Sequence, residues 1–119
     1  MILISHLTME GIELTKDSTS KDLESLAMAI YSAVGLPITM RSKNKKGLRI
    51  ENNQVIDTDY TGKYLEMALE KGEIVHGFAD DGPYKGTPVI VSPIKDKNGE
   101  VVAVVGVVNL AGFIDLTRL

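Results

Sequence analysis

Residues Val91–Val108 read VSPIKDKNGEVVAVVGVV, and the arrangement of this stretch decides the fold. Two apolar runs flank the polar tetrapeptide Asp96-Lys97-Asn98-Gly99. Asp in first place and Gly in last is a turn signal, because Asp bonds its own backbone and Gly tolerates positive φ. The stretch is therefore expected to be a β-hairpin. Its second arm carries no polar side chain from Val101 to Val108. With a period of two, Val102, Val104 and Val108 meet one face of a sheet while Val101, Val105 and Val107 meet the other. A strand apolar on both faces needs cover on both. One cover is expected to be a helical layer; the other is a second helix, a bound ligand or another copy of the chain.

Working outward, Ile74–Phe78 reads as a strand and ADDGPYKG (79–86) as a glycine-rich turn leading into Pro88–Ile94. Further upstream, Thr19 and Asp22 have the spacing of a capping box. Leu23, Leu26, Ala27, Ile30 and Val34 follow as an apolar stripe, so a helix of about four turns is expected, ended by Gly35 and Pro37. Ile38 and Met40 alternate with Thr39 and Arg41 as a half-buried strand. Leu48–Ile50 and Val55–Ile56 flank Asn52-Asn53, a pair suited to a two-residue turn. Thr61 is the expected cap of a second helix with Leu65, Ala68 and Leu69 inward and Gly72 at its end. Residues 1–17 are expected to form an N-terminal arm or short helix, and 18–119 one domain.

Composition narrows the classes of function. A net charge of −3 gives no whole-molecule attraction to nucleic acid or to an acidic membrane surface. With no cysteine, disulfides, thiolate metal sites and cysteine nucleophiles are excluded together. No run approaches the roughly 18 apolar residues of a membrane span, and the start MILISHLTMEG lacks the basic region of a signal peptide. A cytoplasmic protein is expected, with neither nucleic acid nor membrane as a partner.

The closing motif, Pro93-Ile94-x-Asp96-x-x-Gly99-x-Val101-Val102-x-Val104-Val105-Gly106-Val107-Val108, resembles the sensor folds of the PAS, GAF and Cache group. That resemblance implies an α+β fold, with a five-stranded antiparallel sheet and helices packed on one face. TMRSKNKKG (39–47) and GPYKGTPVIVSPIKD (82–96) resemble a family of small uncharacterised proteins from methane-producing archaea, which implies no activity.

Arg41, Lys43, Lys45 and Lys46 place four cations around Ser42 and Asn44. A loop leaving a strand can aim such groups at a carboxylate or phosphate, Arg41 best of all through its planar fork. A solvated basic loop is the plainer reading. Asp80 and Asp81 are too few for a calcium site, but Tyr84, between Gly82 and Gly86, can fold over a pocket with Lys85 beside it. His76 alternates with Ile74 and Phe78 in a strand, as an edge or core histidine or as a pocket donor. His6 and His76 lack the spacing of a zinc site, no G-x-S-x-G or P-loop occurs, and no metal or cofactor is expected.

The sequence thus supports a small-molecule-binding sensor or regulatory module. It would act as a homodimer and bind a small anionic metabolite through Arg41, Lys43, His76, Tyr84 and Lys85. The alternatives are an enzyme using the Arg41 loop and Asp80–Lys85 on a small anionic substrate, and a ligand-free interaction subunit.

Overall fold

Local chemistry fixes the first helix. In a computed structural model, which describes residues 13–108 except 81 and 83, helix α1 spans Ser20–Val34. The Asp22 amide donates to the Thr19 hydroxyl, and the Thr19 amide donates to the Asp22 carboxylate. This capping box satisfies two amides that a helix start otherwise leaves unpaired. The backbone bond from Thr19, foremost, holds the Asp22 carboxyl below the ordinary carboxylate range. Gly35 ends the helix with a φ of 74°, a left-handed position that glycine takes without a Cβ penalty.

Strands β1 (Ile38–Ser42), β2 (Gly47–Glu51) and β3 (Gln54–Tyr60) come next, followed by helix α2 (Lys63–Lys71) and strands β4 (Val75–Phe78), β5 (Pro88–Lys95) and β6 (Val101–Val108). They form one sheet in the order β3-β2-β1-β6-β5-β4, antiparallel throughout. The α+β class stands, but the sheet has six strands where five were expected. The difference lies in the short apolar runs around Asn52-Asn53. These extend into two full strands joined by that pair, with φ of 51° and 63°. Asp57, Thr58 and Asp59 are polar because β3 is an edge, where charge discourages pairing with another chain.

The hairpin of the opening stretch forms as expected. The Asp96 carboxylate accepts from the Asn98 and Glu100 amides at 2.8 and 3.0 Å, and Gly99 turns the chain at a φ of 83°. A register shift follows, in which Ile94 faces Ala103 but Lys95 faces Val101. The extra residue, Val102, turns Val101 toward α2, against simple alternation.

The helices do not share a face. Val104 packs in one core cluster with Leu65, Ala68 and Leu69 of α2. Its neighbour Val105 packs against the cluster of Leu23 and Ala27 of α1 with Met40, Leu48 and Ile50. Successive strand residues point to opposite faces, so α1 covers β1–β3 from one side and α2 covers β4–β6 from the other. This corrects the expected one-sided layer. It also answers the demand of the doubly apolar strand: β6, interior to the sheet, has a helix on each side.

Candidate functional site: a cleft at the start of helix α2

Because α2 covers only its own half, the sheet beside its first turn is left open by the described residues. A cleft of about 100 Å³ lies there, bounded by the start of α2, the loop after β4 and the middle of the sheet. At about 10–15 Å³ for each water, that is room for several waters or a small metabolite. Thr39, Val91 and Gly106 are among its floor residues, and Tyr60, Tyr64 and Tyr84 form aromatic walls. Gly106, the one glycine in the valine-rich strand, keeps the floor clear. A Cβ on it would lie 2.7 Å from Thr39 Oγ1, 3.2 Å from Val91 and 3.3 Å from Leu65.

The walls are held from behind. The Arg49 guanidinium lies 5.7 Å from the ring centre of Tyr60 and 5.5 Å from that of Tyr84, and pairs with Glu51 at 3.1 Å. A planar cation between two rings is a favourable stack. The Tyr64 ring lies against Gly77, where a Cβ would come within 2.7 Å of it, and its hydroxyl donates to the Phe78 carbonyl at 2.8 Å.

Several polar groups in and behind the cleft remain unsatisfied. Tyr84 Oη and Arg49 Nε are buried and unpartnered, although Tyr84 stands beside Arg49 and Glu51 without hydrogen-bond geometry to either. Burial pushes the Tyr84 hydroxyl above its ordinary pKa of 10.0, Glu51 pushes the same way and Arg49 opposes both. Tyr84 is thus a neutral phenol at physiological pH. Thr39 lines the cleft and is only 8% exposed. Helix α2 starts at Gly62, which has no side chain to cap it. The expected cap, Thr61, instead donates its hydroxyl to Glu66 at 2.7 Å.

Of the five expected site residues, Tyr84 lines the cleft. Arg41 is buried behind it and occupied by the protein itself. Its guanidinium donates to Thr61 Oγ1, to Glu66 at 2.7 Å, and to the carbonyls of Ser42 and Lys43. Arg41 therefore ties the end of β1 to the start of α2, and the structure joins it to the Lys43 carbonyl rather than to the Lys43 ammonium. Lys43, Lys45 and Lys46 are exposed, in a loop whose Asn44 bonds Asp17 and Lys16. His76 is exposed on the edge strand β4, and Lys85 is exposed beside Tyr84. Asp80 reaches the cleft and pairs with Lys63 at 2.7 Å, the bond that holds its carboxyl below the ordinary range. His6 and Asp81 fall outside the described residues. Among the described residues no group of three or more His, Asp or Glu side chains is placed to hold a metal ion, and no helix is long and apolar enough to cross a membrane.

Sequence reasoning missed Thr39, Arg49, Tyr60, Tyr64 and Gly106. Two signals were present: a lone glycine inside a valine strand, and three of the four tyrosines falling at element ends or in the glycine-rich turn.

The molecule is thus a small α+β domain with an aromatic-walled cleft beside a helix start. Residues 30–111, well over half of the chain, match the family described as an uncharacterised protein conserved in archaea (DUF2111), and the chain belongs to that family. Uncharacterized protein MJ0405 of Methanocaldococcus jannaschii is 46% identical over 100 residues, covering 83% of this chain and 76% of that protein. No solved structure matches the chain. The archaeal resemblance read from residues 39–47 and 82–96 agrees with this; the resemblance to PAS, GAF and Cache sensors gains no support from it.

Proposed function

We propose that the chain is a small-molecule-binding regulatory module of PAS/GAF/Cache-like type, active as a homodimer, whose ligand is a small anionic metabolite held in the cleft at the start of α2. The observation that carries this reading is the cleft itself, a concave, largely apolar site walled in part by Tyr84, whose buried hydroxyl the protein leaves unpaired. Buried polar groups are otherwise nearly always satisfied, so an unpaired hydroxyl on a cleft residue supports a partner that arrives from solution. The anion preference is supported by the helix start at Gly62, which carries no side-chain cap.

The test is a metabolite screen by thermal shift, with each hit mapped by amide chemical-shift changes on the isotopically labelled chain. A hit is expected to move the amides of Gly62–Leu65 and of Val105–Val107. Hits that map elsewhere, or a broad anion panel without a hit, would overturn the assignment.

A further inference from the structure

Strand β4 ends the sheet and, among the described residues, pairs with β5 alone. The Ala79 amide donates to the Thr87 carbonyl at 3.0 Å. Bonded and non-bonded pairs alternate along an antiparallel ladder, so Gly77 and Val75 also turn their backbone groups toward β5. Pro88, which has no N–H, stands opposite Phe78 in a non-bonded pair, as the alternation requires. The backbone groups of His76, Phe78 and, just before the strand, Ile74 therefore fall on the open side. The Tyr64 hydroxyl takes one lone pair of the Phe78 carbonyl at 2.8 Å, and a carbonyl oxygen has two.

The side chains of this edge select a register. Val75 packs toward α2, so Ile74, His76 and Phe78 stand on the other face. All three are exposed, Ile74 by 57% and Phe78 by 60%. A second copy pairing antiparallel across a two-fold axis meets the same residues in reverse order. With the axis at His76, Ile74 falls opposite Phe78 of the second copy, and Phe78 opposite its Ile74. An aliphatic β-branched residue facing an aromatic one is a favourable cross-strand pair. An axis at Val75 or Gly77 instead sets one of the two against His76 and the other against Gly72 or Asp80. The His76 register also keeps like charges apart, since Glu73 falls opposite Ala79 and Asp80 opposite Gly72.

Resting on the homodimer reading, we propose that the second copy docks edge to edge along β4, in the register centred on His76. The occupant is a second copy because the edge is complementary to itself in this one register. The two sheets then run on as a single sheet. Tyr64 lines the cleft and bonds the Phe78 carbonyl, so the cleft of each copy lies one side chain from the join.

The chain has no cysteine, so introduced cysteines report the register directly. In the proposed pair the two copies of residue 76 face each other with Cα atoms about 5.5 Å apart, within the span that a disulfide closes. The two copies of residue 74 are four positions out of step, roughly 14 Å apart. Under mild oxidation of the full chain, His76→Cys is expected to form a covalent dimer at least about tenfold faster than Ile74→Cys or Phe78→Cys alone. Lys97→Cys, at the exposed hairpin turn, sets the rate of chance collision. An equimolar mixture of Ile74→Cys and Phe78→Cys should give mainly the mixed dimer, read by mass. Linking of His76→Cys no faster than Lys97→Cys, or a mixture without excess of the mixed product, would overturn the proposal. Sedimentation of the unaltered chain separates this from the homodimer itself. A dimer mass without a preferred link at residue 76 removes the β4 join and leaves the homodimer standing, whereas a monomer mass ends both.

Discussion

Arg41 shows how far a side chain's job depends on what surrounds it. Its residue is 7% exposed, and its acceptors are a carboxylate, a hydroxyl and two carbonyls. Substituting Arg41→Met keeps an apolar stem but strips the donors from all of them at once. Glu66 is half exposed and regains water, while the carbonyl of buried Ser42 loses its side-chain donor. A loss of about 1.5–3 kcal/mol of stability is expected, the range for a hydrogen-bonded charge, against about 0.5 kcal/mol or less for exposed Lys45→Ala. Urea denaturation of the two variants decides this, and coincident midpoints would refute it. At this scale the sequence was only partly legible. A run of cations is visible in TMRSKNKKG, but the direction of one guanidinium depends on α2, which lies twenty and more residues along the chain. Tyr84 was recoverable because flanking glycines mark a loop that can fold back. Tyr60 and Tyr64 were not, since only the assembled sheet brings them to the same cleft.

Elements with local causes could be read directly. The start and stop of α1, the Asn52-Asn53 turn and the Asp96–Gly99 turn each depend on side chains within four residues of their effect. The side of the sheet that each helix takes was not readable, because an amphipathic stripe states that a face is buried and not against which face of its partner. The doubly apolar β6 carried that information in a form compatible with several covers. With a helix on either side, β6 is the natural centre of stability. Val104 is fully buried against α2, and Val104→Ala is expected to cost about 1–3 kcal/mol through lost transfer energy and an unfilled cavity. Lys97→Ala, at the exposed turn of the same hairpin, should stay within about 0.5 kcal/mol. Equal urea midpoints for these two would mean that β6 is not the core strand.

Among the described residues, one edge of the sheet carries no cover. β3 carries Asp57 and Asp59 and two register irregularities, whereas β4 offers a short edge with Ile74 57% and Phe78 60% exposed beside it, on the face away from α2. A short edge without Lys, Asp, Glu or a register shift is a template for another strand, which supports the proposed homodimer from described residues; the flanking segments 1–12 and 109–119 lie outside them. Sedimentation equilibrium at micromolar concentration is expected to give twice the chain mass, and Phe78→Lys to shift it toward the monomer. A monomer mass for the unaltered chain would end the dimer reading. The opposed helices have one further consequence. Chain segments 20–60 and 63–108 each build a helix with its own three strands, and across the sheet they join along the β1–β6 ladder. Ile38 pairs with Val107 there, so the join closes most of the chain into one loop. Contacts of that sequence separation are repaid only after the entropy of closure has been met. The two halves are therefore expected to gain hydrogen-exchange protection before the β1–β6 ladder closes, an order that pulse labelling during refolding checks.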